Sequence, residues 1–199
     1  MKSHKSLNPF LASALLAAVS ANDYTNNEDG SITTGQGITA KGEYYDRING
    51  GEWQRTENII PTEGLAHILN VALGTTPKPT GYYLALFSAA AQPAANWTAA
   101  TFATQASEIV SMAEGYAGAV RPTWTPVNTA TGSIDNMVAT AKVTMKTASS
   151  LTVQGAALLT SSTKGGTNGA LISAAKYSAA RVFQNDDTYE IGYRVSLTI

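Results

Sequence analysis

Chemistry in this 199-residue chain has few places to start. Only two histidines exist, His4 in a basic leader and His67 beside an apolar helical stripe, and neither has a second ligand one helical turn away. Zinc sites need three or four converging donors and a Ser-His-Asp relay needs an activated histidine, so both are read as structural or exposed residues. Cysteine is absent, which excludes disulfides and thiolate nucleophiles. The acidic stretch Asp23 to Gly30 has the look of a calcium loop. Placing Asp29-Gly30 at its fifth and sixth positions puts Thr25 where an aspartate is required and Gln36 at the bidentate position, so the match fails. Asp186, Asp187 and Glu190 offer oxygen donors, yet Asn185-Asp-Asp187 is first of all a turn between strands. Paired carboxylates for glycoside hydrolysis can come from distant strands, but no aromatic-rich segment flanks the acids to make a sugar cleft. Gly165-Gly-Thr-Asn-Gly169 lacks the Lys-Ser/Thr ending of a phosphate loop and reads as a flexible hairpin turn. Asn96-Trp-Thr98 is a glycosylation sequon, with meaning only in a eukaryotic secretory protein. No catalytic residue, metal site or cofactor is assigned.

The charge balance narrows the partners. Net charge is -1, charged residues make up 14% of the chain, and no basic stripe appears, so binding to nucleic acid through phosphates is not expected. A soluble monomer ordinarily carries more surface charge. The low content points to surface covered by other subunits in a multi-copy assembly, with a Thr/Ser/Asn-rich surface as the plainer alternative.

What would position any site is a set of strands. Tyr189 to Ile199 alternates without a fault, with Tyr189, Ile191, Tyr193, Val195, Leu197 and Ile199 on one face, which ties the end of the sequence into a sheet. Glu43–Ile48 and Glu52–Glu57 flank Asn49-Gly-Gly51, the signature of a tight hairpin. Thr62 caps a helix over 63–73 with Leu65, Ile68, Leu69, Ala72 and Leu73 on one face, closed by Gly74. Further strands are expected at 81–87, 116–124, 137–145, 150–159, 171–177 and 179–183, with a short helix within 98–112. In the strand at 137–145, Met137, Ala139, Ala141, Val143 and Met145 are the inward residues. The fold class is therefore mainly β: an antiparallel sandwich, jelly-roll or Ig-like, with one packed helix and an extended N-terminal arm carrying a short helix. Its core should contain Leu65, Leu69, Leu84, Leu86, Trp124, Val143, Leu158, Ile191, Tyr193 and Val195.

Residues 1–56 are assigned to a docking helix, polar arm and hairpin, and 57–199 to the sandwich. The leader joins a basic start (Lys2, Lys5) to the apolar run Pro9–Val19 and a small-residue stretch, the parts of a signal peptide. That run is too short to span a bilayer, which needs roughly 20 residues. Asn8 as cap and Pro9 at the first helical position favour a short docking helix. Residues 22–40 form a polar arm able to extend up to about 60 Å at roughly 3.3 Å per residue. Partner contacts are placed on Phe10, Leu11, Leu15, Leu16, Tyr44, Tyr45 and Trp53, the anchors least able to build their own core.

Between the helix and the C-terminus the text has a familiar order. Gly64-Leu-Ala-His-Ile-Leu69, Tyr82-Tyr-Leu-Ala-Leu-Phe87, Asn96-Trp-Thr-Ala-Ala100, Glu114-Gly-Tyr116, Arg121-Pro-Thr-Trp124, Gly155-Ala-Ala-Leu158, Gly165-Gly-Thr167 and the closing alternating strand resemble small virion structural proteins of tailed bacteriophages. The resemblance covers roughly residues 60–199. It implies a non-enzymatic virion subunit that decorates the capsid or serves at the collar, neck or tail, as a homo-oligomer beside capsid, portal or tail proteins. The competing expectation is an exported surface, adhesion or carbohydrate-binding sandwich, with residues 1–21 cleaved.

Overall fold

A computed structural model describes residues 24–26, 32–34 and 39–198. The leader helix expected at 9–19 lies outside the described residues. Within the polar arm, β1 (Tyr24–Asn26) and β2 (Ile32–Thr34) pair antiparallel, where an extended linker was expected. They belong to a unit ending at Thr39, and a second compact unit runs from Ala40 to Thr198. The hairpin grouped with the arm by sequence thus belongs to the second unit.

That unit is mainly β, with two antiparallel sheets and two helices. The larger sheet runs β4 (Gln54–Glu57), β3 (Thr39–Ile48), β12 (Thr188–Thr198), β9 (Ala141–Lys146) and β6 (Gly115–Tyr116), with β8 (Ser133–Asp135) also paired to β12. The smaller sheet runs β11 (Leu171–Phe183), β10 (Leu151–Leu159), β5 (Tyr82–Phe87) and β7 (Thr123–Trp124). Asn49 and Gly50 both take positive φ, 51° and 69°, in a turn closed by the Gly51 N–H on the Ile48 carbonyl at 2.8 Å, within the connection from β3 to β4.

The main core fills the space between the sheets with Tyr44, Leu84, Leu86, Trp124, Val143, Leu158, Ile191 and Tyr193. Rings of Tyr44, Tyr193, Trp124 and Tyr82 follow one another with centroids 4.7, 5.8 and 5.9 Å apart. The Trp124 indole N–H donates to the Tyr193 carbonyl at 3.0 Å, satisfying its one polar atom. A second cluster lies on the other face of the smaller sheet: Ala85, Phe87, Ala157, Leu159 and Ala174 beneath Trp97 and Phe102. Phe102 comes from α2 (Ala99–Gln105), opened by a reciprocal capping box between Thr98 and Thr101. Burial on both faces explains why β5 and the second half of β10 read as continuous apolar runs rather than alternations.

Several element readings are corrected. The segment 116–124 is not one strand, because Gly115–Tyr116 and Thr123–Trp124 pair in different sheets. The strand expected from 137 begins only at Ala141, leaving Val138 82% exposed and Ala139 exposed. Asn136 accounts for this, since its side chain accepts from Tyr193 N–H (2.8 Å) and its carbonyl accepts from Ala139 N–H, forming a turn. Leu171–Phe183 is one strand rather than two, with a register shift opposite Val153 and Gly155.

The largest correction concerns α1 (Thr62–Ala72). Leu65 and Leu69, expected in the core, are 44% and 58% exposed, and Gly64 is the one fully buried residue of the helix. The inward face is Gly64, His67, Ile68 and Val71. Two features set this rotation. A side chain at Gly64 would overlap the Ile172 carbonyl oxygen, so only a glycine lets the helix lie against β11 there. Glu63 then accepts from Leu171 N–H at 2.6 Å and from Ala99 N–H at 2.7 Å, linking α1 to β11 and to the first residue of α2. Of the remaining expected core residues, Val195 is only partly buried against the cluster.

Candidate functional site

Ionisable groups taken out of water are consumed in pairs. Asp46 shares the inward face of β3 with Tyr44, and its carboxylate meets Arg181 Nε at 2.7 Å and Nη2 at 3.1 Å. The guanidinium also lies 4.6 Å from the Tyr177 ring centroid. Glu108 and Arg121 form a second bidentate pair, both side chains wholly buried. Arg121 further donates to the Ser161 carbonyl, and Glu108 accepts from Gly165 N–H at 2.9 Å. Lys164 caps the arrangement, its ammonium 3.5 Å from the Tyr116 ring centroid and 3.0 Å from the Tyr116 carbonyl oxygen. The glycine loop read as a flexible turn is therefore pinned at its start. Burial raises the Tyr116, Tyr177 and Tyr189 hydroxyls well above the usual phenol range and pushes Tyr193 up to about 12. These are closed interior networks and offer no approach to a solute.

The outer face of the larger sheet holds the exposed charge in a lattice. Arg55 contacts Glu43 and Glu57, Arg194 contacts Asp135 at 3.0 Å, and Arg47 contacts Glu190 at 2.8 Å. The Arg55 guanidinium, then the Tyr45 hydroxyl, hold the Glu43 carboxyl below its ordinary range; Arg47 does the same to Glu190. Beside it a cleft of about 290 Å³ is lined by Ala40, Lys41, Glu43, Arg55, Asn58 and Ile60 among others, and Asn58 Oδ1 is buried there without a partner. The acids weighed as oxygen donors and read as a turn are divided: Asp187 accepts from Asn49 Nδ2 and Gln184 N–H, Asp186 contacts Lys146, and Glu190 faces Arg47. Among the described residues no three acidic, histidine or cysteine side chains converge on one point. His67 rests against Tyr82, Nε2 3.2 Å from the phenol oxygen, and partial burial lowers its pKa.

The expected contact residues fare differently from one another. Phe10, Leu11, Leu15 and Leu16 lie outside the described residues. Tyr44 is fully buried, its hydroxyl 2.7 Å from Ser173 Oγ, so it is a core residue with no surface to offer a partner. Tyr45 faces outward beneath the Arg194 guanidinium, and Trp53 is 38% exposed with Arg47 stacked 4.4 Å from its ring. Tyr45 and Trp53 therefore belong to the charged sheet face, and both are already covered by cations.

Among the described residues, the exposed large apolar side chains that recur at regular spacing are those of α1. Leu65, Leu69 and Leu73 recur at one-turn spacing, with Leu73 85% exposed. The only charged residue in the helix is Glu63, which is occupied by backbone N–H groups. The sequence signal for this stripe was present; its orientation was not. Among the described residues no helix is long and apolar enough to cross a membrane. The fold and this surface define a β-sandwich with an exposed apolar helix face. No protein-family model matches the chain, and no curated protein is significantly similar to it.

Proposed function

We propose that this chain is a non-enzymatic structural subunit of a tailed-phage particle, present in many copies and decorating the capsid or the head-tail junction. The exposed Leu65, Leu69, Leu73 stripe carries the reading. An uncharged apolar helix face on an otherwise well-packed sandwich is what a subunit presents to a neighbour rather than to water. The low charge content supports extensive surface coverage, and the interior ion pairs support a rigid scaffold in which buried charges serve packing rather than catalysis. Capsid, portal or tail proteins are the partners this reading names.

Immunogold labelling and intact-mass analysis of gradient-purified particles test it. The expected result is regular label on head or collar and a mass that starts at Met1. Recovery of the chain in a secreted fraction, starting at Asn22 and absent from particles, would replace this reading by the exported surface module.

A further inference from the structure

We infer that the exposed face of α1 receives the apolar leader segment, Pro9 to Val19, of a second copy of this chain. The inference deepens the reading as a multi-copy structural subunit and rests on it only for the expectation that copies meet.

An occupant of this face must be apolar, uncharged along its length and about as long as the stripe. From Leu65 to Leu73 the face runs roughly 12 Å at about 1.5 Å per residue. The first 23 residues of the chain, which lie outside the described residues, contain one segment of that chemistry: Pro9-Phe-Leu-Ala-Ser-Ala-Leu-Leu-Ala-Ala-Val19, free of any charge. It is followed by a polar stretch of which Tyr24–Asn26 and Ile32–Thr34 pair as β1 and β2. Its large side chains, Phe10, Leu11, Leu15 and Leu16, supply the volume that the leucine ridge of α1 lacks on its open side.

Charge sets a direction. The last turn of α1 has no basic side chain to meet the partial negative charge of that end of the helix. Lys2 and Lys5 precede the apolar run. A leader lying antiparallel to α1 brings these cations toward that end.

Area argues for leader exchange over direct pairing of two α1 faces. One pair of eleven-residue helices covers far less than the roughly 1,200 Å² of a stable interface. Mutual exchange makes two contacts per pair of chains, and after the first has formed, the tether raises the effective concentration for the second.

Sedimentation equilibrium on the full-length chain and two full-length variants, Leu69→Glu and Leu16→Glu, tests the inference. The wild type should associate with rising concentration, and each variant alone should weaken that association at least tenfold. Equal mixing should recover one of the two contacts, because one variant keeps its leader and the other keeps its α1 face, so the mixture should associate more tightly than either variant alone and more weakly than the wild type. Val138→Glu, at an exposed apolar site elsewhere, should behave as wild type. A wild type that stays monomeric at every concentration overturns the inference, as does association untouched by Leu69→Glu or a mixture that associates no better than either variant alone. Should Leu69→Glu lose its circular dichroism signature, Leu73→Glu takes its place. Particle labelling that persists while self-association fails would leave the virion reading standing and remove only this contact.

Discussion

Glu108 and Arg121 face each other out of reach of solvent, with Arg121 Nε and Nη2 each 2.7 Å from a different carboxylate oxygen. Through them the chain after α2, the segment before β7 and the loop after β10 are held at one point, since Arg121 also reaches Ser161 and Glu108 reaches Gly165. The pair is costly to bury and more costly to break, because either partner left alone is an uncompensated charge in a medium of low dielectric.

Arg121→Met should therefore destabilise the fold by about 3–5 kcal/mol in urea titrations. Adding Glu108→Leu to it should recover part of that loss, although Gly165 N–H then lacks its acceptor. A double variant no more stable than the single would show that the pair's worth lies in holding the loops rather than in compensating charge.

The rotation of α1 separates two leucines that look alike in the sequence. Leu84→Ala, in the core between the sheets, should cost about 2–5 kcal/mol. Leu69→Ala should change stability by less than about 0.5 kcal/mol under dilute conditions. Comparable losses at both sites would mean that the helix turns its leucines inward.

Gly64→Ala gives a contrast of sign. In a free helix the change to alanine is favourable by about 1 kcal/mol. Here the added methyl meets the Ile172 carbonyl, so thermal unfolding should report a net loss of about 1–3 kcal/mol.

Tyrosine titration provides a pH test. Tyr44, Tyr116, Tyr177, Tyr189 and Tyr193 are buried, and desolvation raises the pKa of each. A raised folded pKa means that the native state keeps its protons while the unfolded chain, titrating near about 10, loses them. Stability is thus unaffected below about pH 10 and falls as pH climbs from there through the folded value, about 12 for Tyr193. Phenolate absorbance should show these five tyrosines still protonated near pH 10 and ionising together with loss of structure. Ionisation of all nine tyrosines in one step near pH 10, with structure intact, would contradict the burial described.

Opposite carboxylates follow the reverse rule. Asn49 and the Gln184 N–H hold Asp187 below its ordinary pKa, and Arg47 holds Glu190 below its own. Their contribution is present above about pH 4 and is lost as pH falls through the depressed folded values, so acid should loosen the junction of the 49–50 and 185–187 turns first. Asp187→Asn should abolish that pH dependence at amides 184 and 188, as read by hydrogen exchange.

Local pattern alone determined a good deal of this protein. The period-two alternation of Tyr189 to Val195, the Asn49-Gly50 turn, the helical stripe after Pro61 and the apolar run of Tyr82 to Phe87 each follow from backbone geometry and the need to hide apolar surface. Those signals are carried by neighbours in sequence. Arg181 shares a strand face with Phe183, and Asp46 shares one with Tyr44, but nothing in the local pattern singled out these charges or their pairing. Tertiary structure decided the rest, because it depends on what arrives from far away in the chain. Which face of α1 turns inward was set by the Ile172 backbone meeting a residue without a side chain, and by a glutamate reaching Leu171. Whether Tyr44 served a surface or a core was set by Ser173, 129 residues further on. Composition specifies how much must be buried; only the meeting of distant backbones specifies which side of each element does it.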